Sequence, residues 1–195
     1  SLEGCDPSNY KMKGSHPSDH PSDRGYFLIV SRVVGGKGLE MAVKACTELG
    51  LPLKVVGEVA GWSGEMKRLK RLAGYNVEFL GSVSDEKLIE LYSGAKAFLA
   101  TARDEDFGIT VVEAQLCGTP VIAYRGGGYL ETVVEGKTGI FFDEYSVEGL
   151  KEALKRFTNY DLRFKNQAIQ EQARKFSKER FVREIKSLIN KSVLI

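Results

Sequence analysis

Histidine and cysteine are scarce in this 195-residue chain, and their positions exclude several kinds of chemistry. Both histidines, His16 and His20, fall in the first 24 residues, so the remainder has no imidazole to serve a Ser-His-Asp or Cys-His mechanism. The two are spaced for a helical metal pair, but Pro17 between them opposes that helix. The three cysteines, Cys5, Cys46 and Cys117, are far apart and form no C-x-x-C pair, which argues against a zinc site or disulfide framework. Cys46 and Cys117 lie in apolar runs and are expected to be small core residues of a protein from a reducing, cytoplasmic compartment. There is no P-loop signature, no G-x-S-x-G, and Gly35-Gly36-Lys37-Gly38 is not the G-x-G-x-x-G of a dinucleotide fold. Asp104-Glu105-Asp106 has the spacing of a D-x-D motif, but no metal site is expected. No apolar run reaches the ~20 residues of a membrane span, and residues 1–24 are polar, without the apolar segment expected of a signal peptide. Net charge is only +2, too small a basic excess for a dedicated nucleic-acid binder.

What is present is an alternation of short apolar runs and amphipathic stretches. Residues 1–24 are rich in Pro, Ser, Asp and Gly and are expected to be a linker or an expression remnant. Tyr26–Val30 is a continuous apolar run, as for a strand covered on both faces. Further strands are predicted at Leu53–Val56, Val77–Leu80, Ala97–Ala100, Val121–Ala123 and Ile140–Phe142. Helical spacing fills the gaps, with Gly50 and Pro52 ending the first helix and Ser84 capping the third. Residues 146–190 read as helices. The pattern predicts an α/β, Rossmann-like parallel sheet of six strands with helices on both faces, occupying residues 25–195. Such sheets bind ligands beyond the carboxyl ends of their strands, where most of the chain's 21 glycines collect.

Three groups fall at that edge. Arg32 and Lys37 follow strand one and fit two readings: solvated surface charge, or a clamp on a diphosphate. Glu105 and Glu113 flank Phe107-Gly108 in E-D-F-G-I-T-V-V-E. Glu105 is either a carboxylate relieving a helix dipole, as Asp104 and Asp106 would equally be, or a ligand for sugar hydroxyls. Glu113 is either an exposed helix position or the acceptor for the vicinal hydroxyls of a ribose; its neighbours Val112 and Ala114 look buried, which disfavours simple solvation. Phe107-Gly108-Ile109 opens a helix whose free amides would face the crevice. Gly126-Gly127-Gly128 is either a second such surface or a flexible turn.

Residues 26–190 resemble the carboxyl-terminal domain of retaining GT-B glycosyltransferases of group 1 (family 4), the large group that includes sucrose synthase, glycogen synthase and many bacterial mannosyltransferases. The resemblance rests on Ser31-Arg32 with Lys37-Gly38; Val55-Val56-Gly57; Val77–Gly81; Glu105-Asp106-Phe107-Gly108; Glu113-Ala114 with Cys117–Ile122; and Gly136–Gly139, six stretches in order. It implies a domain that binds a nucleotide-diphosphate sugar and, with an amino-terminal acceptor-binding domain, transfers the glycosyl group to an acceptor hydroxyl with retention. It implies that Arg32 and Lys37 meet the diphosphate, Glu113 the ribose, and Glu105 with the amides of Phe107, Gly108 and Ile109 the transferred sugar. Gly57 belongs to the same donor-binding set, and Ser82-Val83 resembles the segment that meets the base. No cofactor or metal is obligatory. The commoner form of the motif has Gly after the first glutamate, where this chain has Asp106. E-D-F-G-I with G-G-x-x-E-T-V is most similar to WbaZ-type mannosyltransferases and implies GDP-mannose as donor. The acceptor implied is a glycan or lipid-linked sugar, in the cytoplasm or at the cytoplasmic membrane face, with no nucleic acid involved. A UDP- or ADP-glucose-dependent transferase and a non-catalytic nucleotide-sugar-binding module are the alternatives. The final amphipathic stretch, Phe181, Ile185, Leu188 and Ile189, is either a helix crossing to the other domain or one that packs on this one.

Overall fold

A computed structural model describes residues 25–58, 64–159, 164–177, 180, 182 and 183. The amino-terminal 24 residues, with both histidines and Cys5, lie outside these, as do Phe181, Ile185, Leu188 and Ile189. The described elements run β1 (Tyr26–Val30), α1 (Leu39–Leu49), β2 (Leu53–Val56), α2 (Gly64–Leu72), β3 (Val77–Gly81), α3 (Asp85–Gly94), β4 (Ala95–Ala100), α4 (Ile109–Leu116), β5 (Val121–Tyr124), α5 (Tyr129–Thr132), β6 (Gly139–Phe142), α6 (Val147–Asn159) and α7 (Asn166–Arg174). All strand pairings are parallel, in the order β3-β2-β1-β4-β5-β6.

The two-residue period of a strand explains why the runs are apolar throughout. Phe27, Ile29, Ala97, Leu99 and Ile122 face one side of the sheet, where α1 and α6 bring Leu39, Val43, Cys46, Leu150 and Leu154. Leu28, Phe98, Ala100, Val121 and Ala123 face the other, under Leu91 and Tyr92 of α3, Val111 and Ala114 of α4, and Tyr129 of α5. The third satellite core joins Val112 and Leu116 of α4 to Ala173 of α7. Cys46 and Cys117 are buried, as expected.

Helix ends follow local chemistry. Gly50 adopts φ 65° and its N–H donates to the carbonyls of Cys46 and Thr47, closing α1. The Ser84 hydroxyl accepts the Lys87 N–H and caps α3. β4 starts at Ala95, earlier than the apolar run suggests, because the chain passes straight from α3 into the strand. None of the helices among the described residues is long and apolar enough to cross a membrane.

The order places β1 and β4 side by side in the middle of the sheet. After β1 the chain moves outward to β2 and β3; α3 then returns it across β1 to start β4, β5 and β6 on the other side. The loops leaving β1 and β4 therefore diverge, and a crevice opens between them at their carboxyl ends.

Candidate functional site

The crevice is a cleft of about 250 Å³, counting its open mouth, whose floor is Val30, Phe98 and Ala100 and whose walls include Ser31, Lys37, Thr101, Glu105, Thr110 and Tyr129. Its geometry is set by a close crossing of two loops. Gly38 adopts φ 72°, and a Cβ there would stand 2.2 Å from the Thr101 carbonyl oxygen. No larger residue lets the β1–α1 loop lie so low over the end of β4. Thr101, almost wholly buried, donates its hydroxyl to the Lys37 carbonyl at 2.9 Å, which fixes the Lys37 backbone. Lys37 Nζ then donates to Glu105 Oε2 at 3.0 Å, with the two side chains 28% and 25% exposed. A cation from one loop and a carboxylate from the other thus meet across the switch point.

Glu105 is held from below by the glycine run. The Gly128 N–H donates to the Glu105 carbonyl at 2.8 Å. A Cβ on Gly127 would reach within 2.3 Å of that same carbonyl oxygen, and one on Gly128 within 2.4 Å of Phe107 Cα. Gly126-Gly127-Gly128 is therefore neither a second ligand-facing surface nor a loose turn; Gly127 and Gly128 are the seat on which the Glu105–Phe107 backbone rests. Tyr129 follows directly, 4% exposed, and lines the cleft. Burial first, and then the nearby Glu105 charge, push its phenol pKa upward, so the phenol stays protonated at neutral pH.

The dipole reading of Glu105 fails on position. α4 begins at Ile109, four residues beyond Glu105, and its first turn carries no acidic residue. Gly108 occupies the cap position at φ 81° with no side-chain cap, and a Cβ there would strike the Tyr129 ring at 2.8 Å. In the first turn of α4 the Val111 N–H donates to the Gly108 carbonyl at 2.9 Å, while the amides ahead of it have no intrahelical acceptor. Phe107 and Ile109, 39% and 38% exposed, flank them, and the Phe107 ring meets Phe176 edge to face at 5.5 Å. Glu113 lies one turn past Thr110, and its Oε2 accepts the Tyr92 hydroxyl at 2.9 Å. Val112 and Ala114 are buried on either side, as the sequence suggests.

The remaining expected positions follow the rim. Arg32 is exposed and has no side-chain hydrogen bond or ion pair among the described residues. The backbone beside it is pinned to the neighbouring strand's tail: Ser31 N–H donates to Val56 O and Val33 N–H to Glu58 O. Gly57, at φ 143°, lies so close to Ser31 that a Cβ would fall 1.8 Å from the Ser31 carbonyl oxygen. The Gly57 N–H in turn donates to Gly81 O, next to Ser82 and Val83. Ser82-Val83, Gly57 and Arg32 therefore follow one another along the carboxyl ends of β3, β2 and β1, leading to the Lys37–Glu105 pair. Among the described residues no cluster of three His, Cys, Asp or Glu stands ready to hold a metal.

Three contributors escape a reading of the sequence alone: Thr101, Tyr92 and Tyr129. Each acts through a partner distant in the chain, and only the strand order brings the partners together.

The chain is thus a doubly wound parallel α/β domain with a basic loop facing an acidic loop across its switch point, the place where such sheets hold their ligands. Residues 13–176 match the family described as glycosyl transferases group 1, and the chain belongs to that family. A D-inositol 3-phosphate glycosyltransferase of Acidothermus cellulolyticus is 31% identical over 158 residues, 73% of this chain and 35% of that protein. A GDP-mannose-dependent alpha-(1-6)-phosphatidylinositol monomannoside mannosyltransferase of Mycolicibacterium smegmatis is 31% identical over 68% of this chain and 38% of its own length. Among solved structures, the sucrose-phosphate synthase of Thermosynechococcus elongatus superposes with a TM-score of 0.77 at 25% identity, over 100% of this chain and 51% of that one. Anabaena HepE in complex with UDP and glucose gives a TM-score of 0.70 at 25% identity, over 92% of this chain and 52% of that one. The chain thus spans about a third to a half of the proteins it resembles. The GT-B expectation for the fold holds.

Proposed function

We propose that this chain is the donor-binding domain of a retaining glycosyltransferase that takes a nucleotide-diphosphate sugar, with GDP-mannose as the favoured donor. The observation that carries the reading is the Lys37–Glu105 pair in the cleft between β1 and β4. It supplies, within one hydrogen bond's length, a cation suited to a diphosphate and a carboxylate suited to sugar hydroxyls. Arg32, exposed and without a side-chain partner among the described residues, is the second cation, and its planar fork suits phosphate oxygens. Glu113 accepts the ribose hydroxyls. The α4 amides around Phe107, Gly108 and Ile109 serve the transferred sugar. Gly57 and Ser82-Val83 line the way to the base.

The chemical demand is to stabilise charge on the departing diphosphate as its bond to the sugar lengthens. Arg32, Lys37 and the amides meet it without a metal; removing one such donor typically costs about 10²–10³-fold in rate. No nucleophile or acid role is assigned to either glutamate. The cleft stands open to solvent on one side, which leaves room for a second wall from an acceptor-binding domain. The chain alone binds donor weakly and transfers little. The acceptor is a glycan or lipid-linked sugar, and the place of work is the cytoplasm or the cytoplasmic membrane face.

The guanine preference draws on the E-D-F-G-I motif and the GDP-mannose-dependent relative. The HepE complex with UDP and glucose favours a UDP-glucose donor as the second reading. Calorimetric titration with GDP, UDP, ADP and their sugars separates the two. Tightest binding of GDP and GDP-mannose is expected. Equal affinity for all three nucleotides removes the guanine preference, and no binding of any of them to the folded chain overturns the function.

A further inference from the structure

The geometry assigns a positioning role to Tyr92: it holds the Glu113 carboxylate in the orientation that selects a ribose over a deoxyribose. This rests on the reading of Glu113 as the ribose ligand. Tyr92 is 0% exposed, deep under α3, and its phenol donates to Glu113 Oε2 at 2.9 Å. Two further contacts keep it from moving. Its ring lies against Phe98 at a centroid distance of 5.8 Å, tilted by 58°. Phe98 is in the middle of β4 and forms part of the cleft floor. The Tyr92 carbonyl accepts the Thr119 hydroxyl at 2.6 Å, which ties the end of α3 to the turn before β5.

Glu113 has a fixed backbone, since Val112 and Ala114 are buried, but a long side chain with several rotamers. A hydrogen bond from an immobile phenol selects among them. A carboxylate has about four acceptor positions, so the phenol takes one and does not by itself exhaust the group. The order lost on binding is then smaller, because the carboxylate is already oriented. The alternative is a plain staple between α3 and α4, with no consequence for what is bound. The two differ in which ligands notice the loss of the hydroxyl.

The test is titration of the full chain with GDP and with 2′-deoxy-GDP, in the wild type and in Tyr92→Phe. The wild type is expected to prefer the ribonucleotide about tenfold, the scale of one charge-assisted hydrogen bond. Tyr92→Phe is expected to reduce GDP affinity by about three- to tenfold and the affinity of 2′-deoxy-GDP, which keeps only the 3′-hydroxyl contact, by clearly less, narrowing the preference. If the variant keeps the full preference, or loses affinity for both nucleotides equally, the positioning role is overturned. If the wild type itself shows no preference, the ribose reading of Glu113 falls first, so the two failures are distinguishable. Should Tyr92→Phe not fold, 3-fluorotyrosine labelling of the wild type gives a second readout. The fluorine resonance that Glu113→Gln displaces should shift more with GDP than with 2′-deoxy-GDP; an equal response to both overturns the proposal.

Discussion

Replacing Lys37 by methionine keeps an unbranched side chain of nearly the same length and removes the ammonium group, so it isolates what that charged donor does. In the empty protein that charge faces Glu105 at 3.0 Å, with both side chains about a quarter exposed. Ion pairs this open to water contribute about 0.2–1 kcal/mol, so Lys37→Met should lower stability by no more than about 1 kcal/mol. Towards a diphosphate the same ammonium makes a charge-assisted hydrogen bond worth about 1.5–3 kcal/mol. At tenfold per 1.4 kcal/mol, the dissociation constant for a nucleoside diphosphate should rise roughly 10- to 100-fold. Calorimetry gives the affinity and urea unfolding the stability, on the same preparation. Glu105→Gln supplies the opposite sign. It removes a negative charge beside the diphosphate, so the bare nucleoside diphosphate should bind at least as tightly as to the wild type. The nucleotide sugar should lose its relative advantage, because the hydroxyl acceptor is weakened. A Lys37→Met protein that unfolds normally and binds nucleoside diphosphate unchanged would refute the placement of the phosphates in this cleft.

Glu113→Ala should weaken nucleotide-sugar binding by at least about tenfold, and an unchanged dissociation constant in a folded variant counts against the ribose contact. Gly57→Ala must push a Cβ against the Ser31 carbonyl at φ 143°, and should cost about 2–4 kcal/mol in urea unfolding, from overpacking added to backbone strain. Gly36→Ala also has positive φ but meets nothing within 4 Å, so it should cost only about 1–2 kcal/mol; equal losses would show that strain alone decides. Burial pushes the Cys46 thiol from 9.0 to about 12. Its protonated form is therefore favoured in the folded state, and its contribution to stability is intact below pH 9 and lost as pH rises towards about 12, by up to ~1.4 kcal/mol per pH unit. The stability gap between wild type and Cys46→Ala should stay constant below pH 9 and shrink as pH rises towards about 12, and a gap unchanged across that window would contradict the burial argument.

The strands were legible because each is covered on both faces and must be apolar along its length; Phe27-Leu28-Ile29 divides its side chains between two cores and still reads as one run. The loops at the carboxyl edge were legible through their glycines, and Arg32, Lys37 and Glu105 were found because charged residues stood beside them. What was not legible depends on pairings across the sheet. Nothing in the neighbourhood of Tyr92 announces a hydroxyl bonded to Glu113, 21 positions away. The role of Gly127 and Gly128 is likewise invisible until the Glu105 carbonyl is seen resting on them.

These pairings change what the two glutamates mean. As sequence, Glu105 and Glu113 are two carboxylates around the start of a helix, open to the same electrostatic explanation. In the fold they have separate supports and separate neighbours. Glu105 stands four residues before α4, carried by the glycine seat and answered by Lys37 from across the switch point. Glu113 stands inside α4, turned towards α3 and answered by a neutral phenol. A carboxylate beside a cation is suited to the charged, changing end of a ligand, where the bond to a diphosphate lengthens. A carboxylate oriented by a buried hydroxyl is suited to a neutral diol that stays the same throughout. On the proposed reading, these two separate environments, with the α4 amides between them, would give a nucleotide-diphosphate sugar one direction to lie along this edge of the sheet.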